Sequence, residues 1–207
     1  MGMKNELTSK EKSYLILKET LRFIRFVLIL AIVFWLIRSF VMQPFIVRGS
    51  SMEHTFSNGD YVIIEKLSYR MGEPQRGDIV IFNAGFTSSA PDDQSFFIKR
   101  VVGLPGETVR VQNNKVIIRN SSHPNGRILR EPYLDEGVRT KPREYNRVTL
   151  ASDEYFVMGD NRPNSSDSRV WGALNEKKIV GKPLVRAYPF DDFQIFTRSA
   201  FERNIDT

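Results

Sequence analysis

The chain has 207 residues, 41% of them hydrophobic, and 30 Lys and Arg against 24 Asp and Glu leave a formal charge of +6. That is enough for one membrane segment and one medium domain with a packed core, and too apolar for a disordered tail. It holds no cysteine and two histidines, His54 and His123, which excludes disulfides and thiol catalysis and leaves only carboxylates for a metal site; the basic balance admits nucleic acid or an anionic membrane surface as partner.

In chain order, residues 1–22 are polar and of mixed charge, the composition of a short cytoplasmic lead. Phe26 to Ile37 is uninterrupted apolar sequence, and Phe23 to Val41, with Arg25 and Arg38 snorkelling from the ends, gives about 20 residues, the length of a bilayer-crossing helix. The reading is one retained transmembrane helix over residues 23–42. A cleaved signal peptide is the alternative, but the run is long and Phe40-Val41-Met42-Gln43-Pro44 offers no small-x-small cleavage site. Basic residues ahead of the helix put the N-terminus inside and residues 43–207 outside the cell membrane. Ser51 lies ten positions beyond Val41, at most about 3.3 to 3.6 Å each, so it is held near the membrane surface.

The stretch Val47-Arg48-Gly49-Ser50-Ser51-Met52-Glu53-His54-Thr55 follows, with Ser51 as candidate nucleophile. A serine needs a neighbouring base. Two histidines are little material for a Ser-His-Asp triad, so the search turns to lysine. Short strands are expected at Tyr61–Ile64, after the turn Asn58-Gly59-Asp60, and at Ile79–Phe82, after Arg76-Gly77-Asp78, a turn rather than an adhesion tripeptide. The run from Phe96 to Glu107 then places Lys99 in the middle of apolar, β-prone sequence. In a strand, Lys99 and Arg100 point to opposite faces, one toward the core and one toward water. A lysine held among Phe and Val would have its pKa lowered from about 10.4 toward neutrality, and its neutral amine would accept the Ser51 proton. The plainer alternative is an edge strand with Lys99 exposed as an anti-aggregation charge.

Val109 to Ile118 reads as a hairpin around Asn113-Asn114. Arg119 to Arg147 is a polar excursion without evident chemistry, part of an insertion at residues 111–150, and His123 is a loop residue in it. Asn120-Ser121-Ser122 and Asn164-Ser165-Ser166 match the glycosylation pattern, which has meaning only in a eukaryotic secretory setting. After a strand at Glu154–Met158, the loop from Gly159 to Gly172 is dense in hydroxyls, amides and paired charges. It is either a well-ordered turn or the source of a group that orients the base. Ile179–Lys182 and Leu184–Tyr188 are expected as a last pair of short strands. The expected fold class is mainly β, an antiparallel sheet domain after a single N-terminal transmembrane helix.

Four segments together carry a resemblance: Gly-Ser-Ser-Met after the anchor, Arg-Gly-Asp-Ile-Val-Ile-Phe, Ile-Lys-Arg-Val-Val-Gly-Leu-Pro-Gly-Glu, and Gly-Asp-Asn-Arg-x-x-Ser-x-Asp-Ser-Arg. In this order the chain, from the helix to Phe190, resembles a bacterial type I signal peptidase of the Gram-positive-like branch, a membrane-anchored Ser-Lys serine endopeptidase. The resemblance implies Ser51 as nucleophile and Lys99 as general base. It implies Ser165 bonded to the lysine amine, a supporting ion pair of Asp167 with Arg169, and further support from Asp160 and Arg162. It implies shallow pockets lined by Phe45, Val47, Met52, Phe56, Phe97 and Ile98. Implied partners are signal-peptide-bearing preproteins leaving the export machinery and the phospholipid membrane, without nucleic acid, metal or cofactor. The implied reaction cuts after small residues of the Ala-x-Ala type through an acyl-enzyme.

Two departures stand out. Gly49 occupies the position where one branch of the family has a serine donating to the oxyanion, and His54 stands where proline is usual. Two other classes compete: a membrane-anchored basic β-domain that only binds, opposed by the intact Ser51 and Lys99, and a self-cleaving repressor, opposed by the anchor in place of a DNA-binding domain.

Overall fold

In the computed structural model, which describes residues 9–36, 38, 41–85 and 96–196, the chain divides after Val41. The first unit holds one helix, α1 (Ser9–Leu36). Its apolar side chains, among them Leu17, Phe23 and Phe34, are exposed. Among the described residues no helix is long and apolar enough to cross a membrane. Glu19, Arg22 and Arg25 interrupt the apolar sequence, and Phe26–Leu36 alone rises only about 16 Å at 1.5 Å per residue. The expected span over 23–42 runs on past α1 through residues 37, 39 and 40, which lie outside the described residues.

The second unit is mainly β. Its strands are β1 (Met42–Ile46), β2 (Tyr61–Glu65), β3 (Ile79–Asn83), β4 (Phe96–Gly103), β5 (Thr108–Gln112), β6 (Lys115–Arg119), β7 (Arg127–Ile128), β8 (Arg147–Thr149), β9 (Glu154–Met158), β10 (Leu174–Asn175), β11 (Ile179–Tyr188) and β12 (Gln194–Ile195), with one-turn helices α2 (Ser68–Met71) and α3 (Ser168–Trp171). An eight-stranded antiparallel sheet runs β1-β2-β11-β3-β4-β9-β10, with β12 on β11, and a four-stranded sheet runs β7-β6-β5-β8. Alternation sorts the outer strands: Val62 and Ile64 on β2, Val109 and Val111 on β5, and Val116 and Ile118 on β6 turn inward while their neighbours stay wetter. The middle strands β3 and β4 are near-continuous in apolar residues because both their faces are covered.

The hairpin forms as read, with Asn113 and Asn114 at φ 52° and 61°, the left-handed pair of a two-residue turn. Two expectations are corrected. The last two short strands are one ten-residue strand, β11, because Pro183, which has no N–H to give, is absorbed at a register shift rather than ending the strand. The polar insertion, read as an excursion with little periodicity, contributes β6, β7 and β8 to a second sheet, whose inward valines and Ile118 pack on Val102, Leu150, Phe156 and Met158.

Candidate active site

Ser51 lies in the loop between β1 and β2. The Val47 N–H donates to Asp60 O and the Gly59 N–H to Val47 O, both at 2.9 Å, closing the loop at its base. Met52 and Phe56, each 1% exposed, pack on Val62 and Ile79 and pin the loop to the core. The resemblance put these two in the substrate pocket; here they belong to the core and are not among the residues that line the cavity beside Ser51.

Lys99 is on β4, between β3 and β9, so it is not on a sheet edge. It is 3% exposed. Its Nζ lies 2.7 Å from Ser51 Oγ, donates to Ile98 O at 2.9 Å and sits 5.2 Å from the centre of the Phe97 ring. Burial lowers its pKa from 10.5 to about 8, although the carboxylates of Asp167 and Asp160 draw it upward. The expectation that one of Lys99 and Arg100 faces water fails. Arg100 is 0% exposed on the opposite face, where its Nε and Nη2 donate to the two oxygens of Asp160 at 2.9 and 2.6 Å and its Nη1 to Gly77 O at 2.9 Å.

The loop after β9 supplies the support. Asp167 is gripped by Arg169 through Nε at 2.8 Å and Nη2 at 2.7 Å, and accepts from the Gly159 N–H at 3.2 Å. Burial pushes this carboxyl up, but the hydrogen bonds and charge of Arg169 outweigh it and hold it below the ordinary range. Arg162 pairs with Glu131 and donates to Thr140 Oγ1 at 2.6 Å and Gly159 O at 3.1 Å. Ser165 is buried close enough to help keep Asp167 charged, yet its hydroxyl meets no partner at hydrogen-bonding geometry, so the expected bond to the lysine amine is not formed. Gly159 marks the closest approach of the two loops: a β-carbon there would collide with the Ser165 hydroxyl and the Ser51 carbonyl oxygen.

Sequence reasoning missed several groups. The Asn161 N–H donates to Ser51 O and its Nδ2 to Ser50 O, both at 3.0 Å, tying the nucleophile loop to the support loop. Thr55 Oγ1 donates to Asp160 at 2.6 Å. Glu131, Thr140 and Tyr133, whose ring lies 4.1 Å from the Arg100 guanidinium, come from the excursion read as free of chemistry. Acids and hydroxyls in a polar loop carry no mark of which will be buried. His54 adopts φ 78°, a conformation closed to proline, and its Nδ1 lies 3.1 Å from Asp135. The backbone after Ser51 therefore follows a path closed to the proline that the resemblance leads one to expect there.

A cavity of about 840 Å³ opens beside the pair, lined by Phe45, Val47, Phe97 and Ile98, with Ser51, Lys99, Asn164 and Ser166 on its wall. Among the described residues no cluster of three or more acidic or imidazole groups is arranged to hold a metal ion. What the arrangement supports chemically is a hydroxyl against a buried amine of lowered pKa, the pairing needed for nucleophilic catalysis.

The model of the family described as signal peptidase, peptidase S26, matches residues 20–188. A probable signal peptidase I-2 of Synechocystis is 40% identical over 164 residues, covering 79% of this chain and 71% of that one. Signal peptidase I S of Bacillus subtilis is 35% identical over 201 residues, covering 93% and 98%. The crystal structure of a signal peptidase I from Enterococcus faecalis is 30% identical, covers 54% of this chain and 97% of that one, and superposes with a TM-score of 0.42, too low to add to the comparison. The chain belongs to the signal peptidase family, peptidase S26, and is an enzyme of the type I class.

Proposed function

We propose that this enzyme removes signal peptides from exported precursors by acyl transfer between Ser51 and the scissile carbonyl, with Lys99 as general base. The observation that carries the reading is the 2.7 Å approach of Lys99 Nζ to Ser51 Oγ in a site that lowers the amine to about 8. Along that line a neutral amine accepts the hydroxyl proton, Ser51 Oγ attacks the carbonyl of the last signal-peptide residue, and the protonated amine returns the proton to the leaving nitrogen. Water, deprotonated by the same amine, then hydrolyses the acyl-enzyme. The Ser51 N–H is the first oxyanion donor. Gly49 offers no side chain, and its N–H is committed to Asn58 Oδ1 at 2.9 Å.

The substrate lies extended in the cavity as an added strand, and Phe45, Val47, Phe97 and Ile98 suit the small side chains of an Ala-x-Ala site. Asp167 with Arg169, Asp160 with Arg100, and Arg162 with Glu131 hold the walls. Residues 23–42 anchor the enzyme as one membrane span, with the N-terminus cytoplasmic and the catalytic unit at the outer surface. The bare apolar side chains of α1 support that reading.

Lys99→Met should slow cleavage of an Ala-x-Ala precursor by about 10³-fold, within the range for a lost general base, and Ser51→Ala, which removes the nucleophile, by at least as much, while the chain still resists extraction from membranes. The wild-type rate should climb tenfold per pH unit below about 8 and level above it, because only the neutral amine is the base. Near-normal processing by purified Lys99→Met protein would overturn the dyad.

A further inference from the structure

The four-stranded sheet buries one face and leaves the other bare. On the bare face stand Arg110 on β5, Lys115, Ile117 and Arg119 on β6, Arg147 on β8 and Ile128 on β7. Arg110 is directly across from Arg147 on one side and from Ile117 on the other, and Ile117 is directly across from Ile128. The four cations are exposed, and Ile128 is 51% exposed. No Asp or Glu stands on this face of the strands, and among the described residues none of the four cations makes an ion pair. Like charges directly opposite each other destabilise a sheet. A glutamate at either arginine would serve the fold better, and such local violations fall where a surface has work to do.

We propose that this face docks on anionic phospholipid headgroups. With strands about 4.8 Å apart and same-face residues about 6.6 Å apart, the cations spread in two dimensions over one open sheet face, a layout that meets a layer of phosphates; a single polyanionic strand would be better served by a groove. Ile117 and Ile128 provide short apolar side chains between the cations, suited to the headgroup boundary. The attraction is local, decaying within a Debye length of about 10 Å at 0.1 M salt, and each cation near such a surface is worth about fivefold in binding. The proposal uses no part of the Ser51–Lys99 reading, so precursor cleavage and lipid docking stand or fall separately. It shares only the membrane setting, and retention of the chain in neutral discs reports on the anchor by itself.

The chain has no cysteine, so Ile128→Cys gives one attachment point for an environment-sensitive fluorophore. The labelled full chain is reconstituted in phosphatidylcholine nanodiscs with and without phosphatidylglycerol, or, if the chain is not retained there, mixed with vesicles of the same lipids. A blue shift in the anionic membrane alone, reversed by 1 M salt, is expected. Arg110→Gln with Arg147→Gln should weaken the response to added phosphatidylglycerol at least about tenfold and leave precursor cleavage intact. Should that pair disturb the sheet, Lys115→Gln with Arg119→Gln, which separates no opposed pair, is expected to weaken it equally. Identical emission in neutral and anionic membranes, or a shift retained in a folded double variant, overturns the proposal. So does tighter binding of polyglutamate or an RNA oligonucleotide than of anionic vesicles, which would assign the face to another polyanion.

Discussion

Lys99 and Arg100 are neighbours on β4, equally buried on opposite faces of the sheet, and the protein treats their charges in opposite ways. Arg100 is clasped by both oxygens of Asp160, a backbone carbonyl and the face of Tyr133. Lys99 meets a hydroxyl, a carbonyl and the Phe97 ring, with its carboxylates acting only from a distance. Burial alone therefore does not make a base. Arg100 has a carboxylate to offset its charge, whereas Lys99, left with neutral acceptors, is lowered to about 8. The residue types fit these fates, since a guanidinium does not deprotonate in proteins and an amine does.

The contrast is broken most severely at Asp160. Asp160→Asn keeps the shape of the side chain but strands the Arg100 charge, and unfolding experiments should show a loss of about 3 to 5 kcal/mol. It should also loosen the nucleophile loop, because Thr55 donates to the same carboxylate. An unchanged melting temperature would mean that Arg100 does not depend on its pair. The opposite sign is expected on the other face, where Lys99→Met removes a buried ammonium. With a folded pKa of about 8 against 10.5 unfolded, the native state resists the proton, and the penalty, about 3 kcal/mol, is complete below pH 8 and relieved as pH rises toward 10.5. Denaturation across that window should find wild-type stability rising with pH and the variant's lacking that rise, with the variant the more stable at pH 7. The smallest effect tests uncompensated cations at the surface. Arg147→Glu opposite Arg110 should raise stability by a few tenths of a kcal/mol while abolishing the response to anionic lipid.

How much of this could be read in advance follows from the range of the interactions. The serine and the lysine were legible because each stands out against local sequence, Ser51 after an apolar segment and Lys99 inside an apolar strand, and Asn113-Asn114 announced its own turn. Arg100 was misjudged because alternation assigns opposite faces without saying that both are covered. That depends on the Asp160 loop and on Tyr133, at sequence separations no local pattern spans. The same holds for Glu131 and Thr140, polar residues in a polar loop until Arg162 is placed between them. Ser165 was placed through resemblance alone, and in the structure its buried hydroxyl bonds neither the amine nor any other group.

Gly159 separates the nucleophile loop from the loop that supports it by less than the width of a methyl group. In evolutionary terms this makes the spacing a fixed inheritance. Any side chain at that position would have to displace the Ser165 hydroxyl and the Ser51 carbonyl oxygen together, so there is no small step by which this residue could reset the distance. Changes in the shape of the cavity are then left to other residues that line it, such as Phe45, Ile46 and Tyr61.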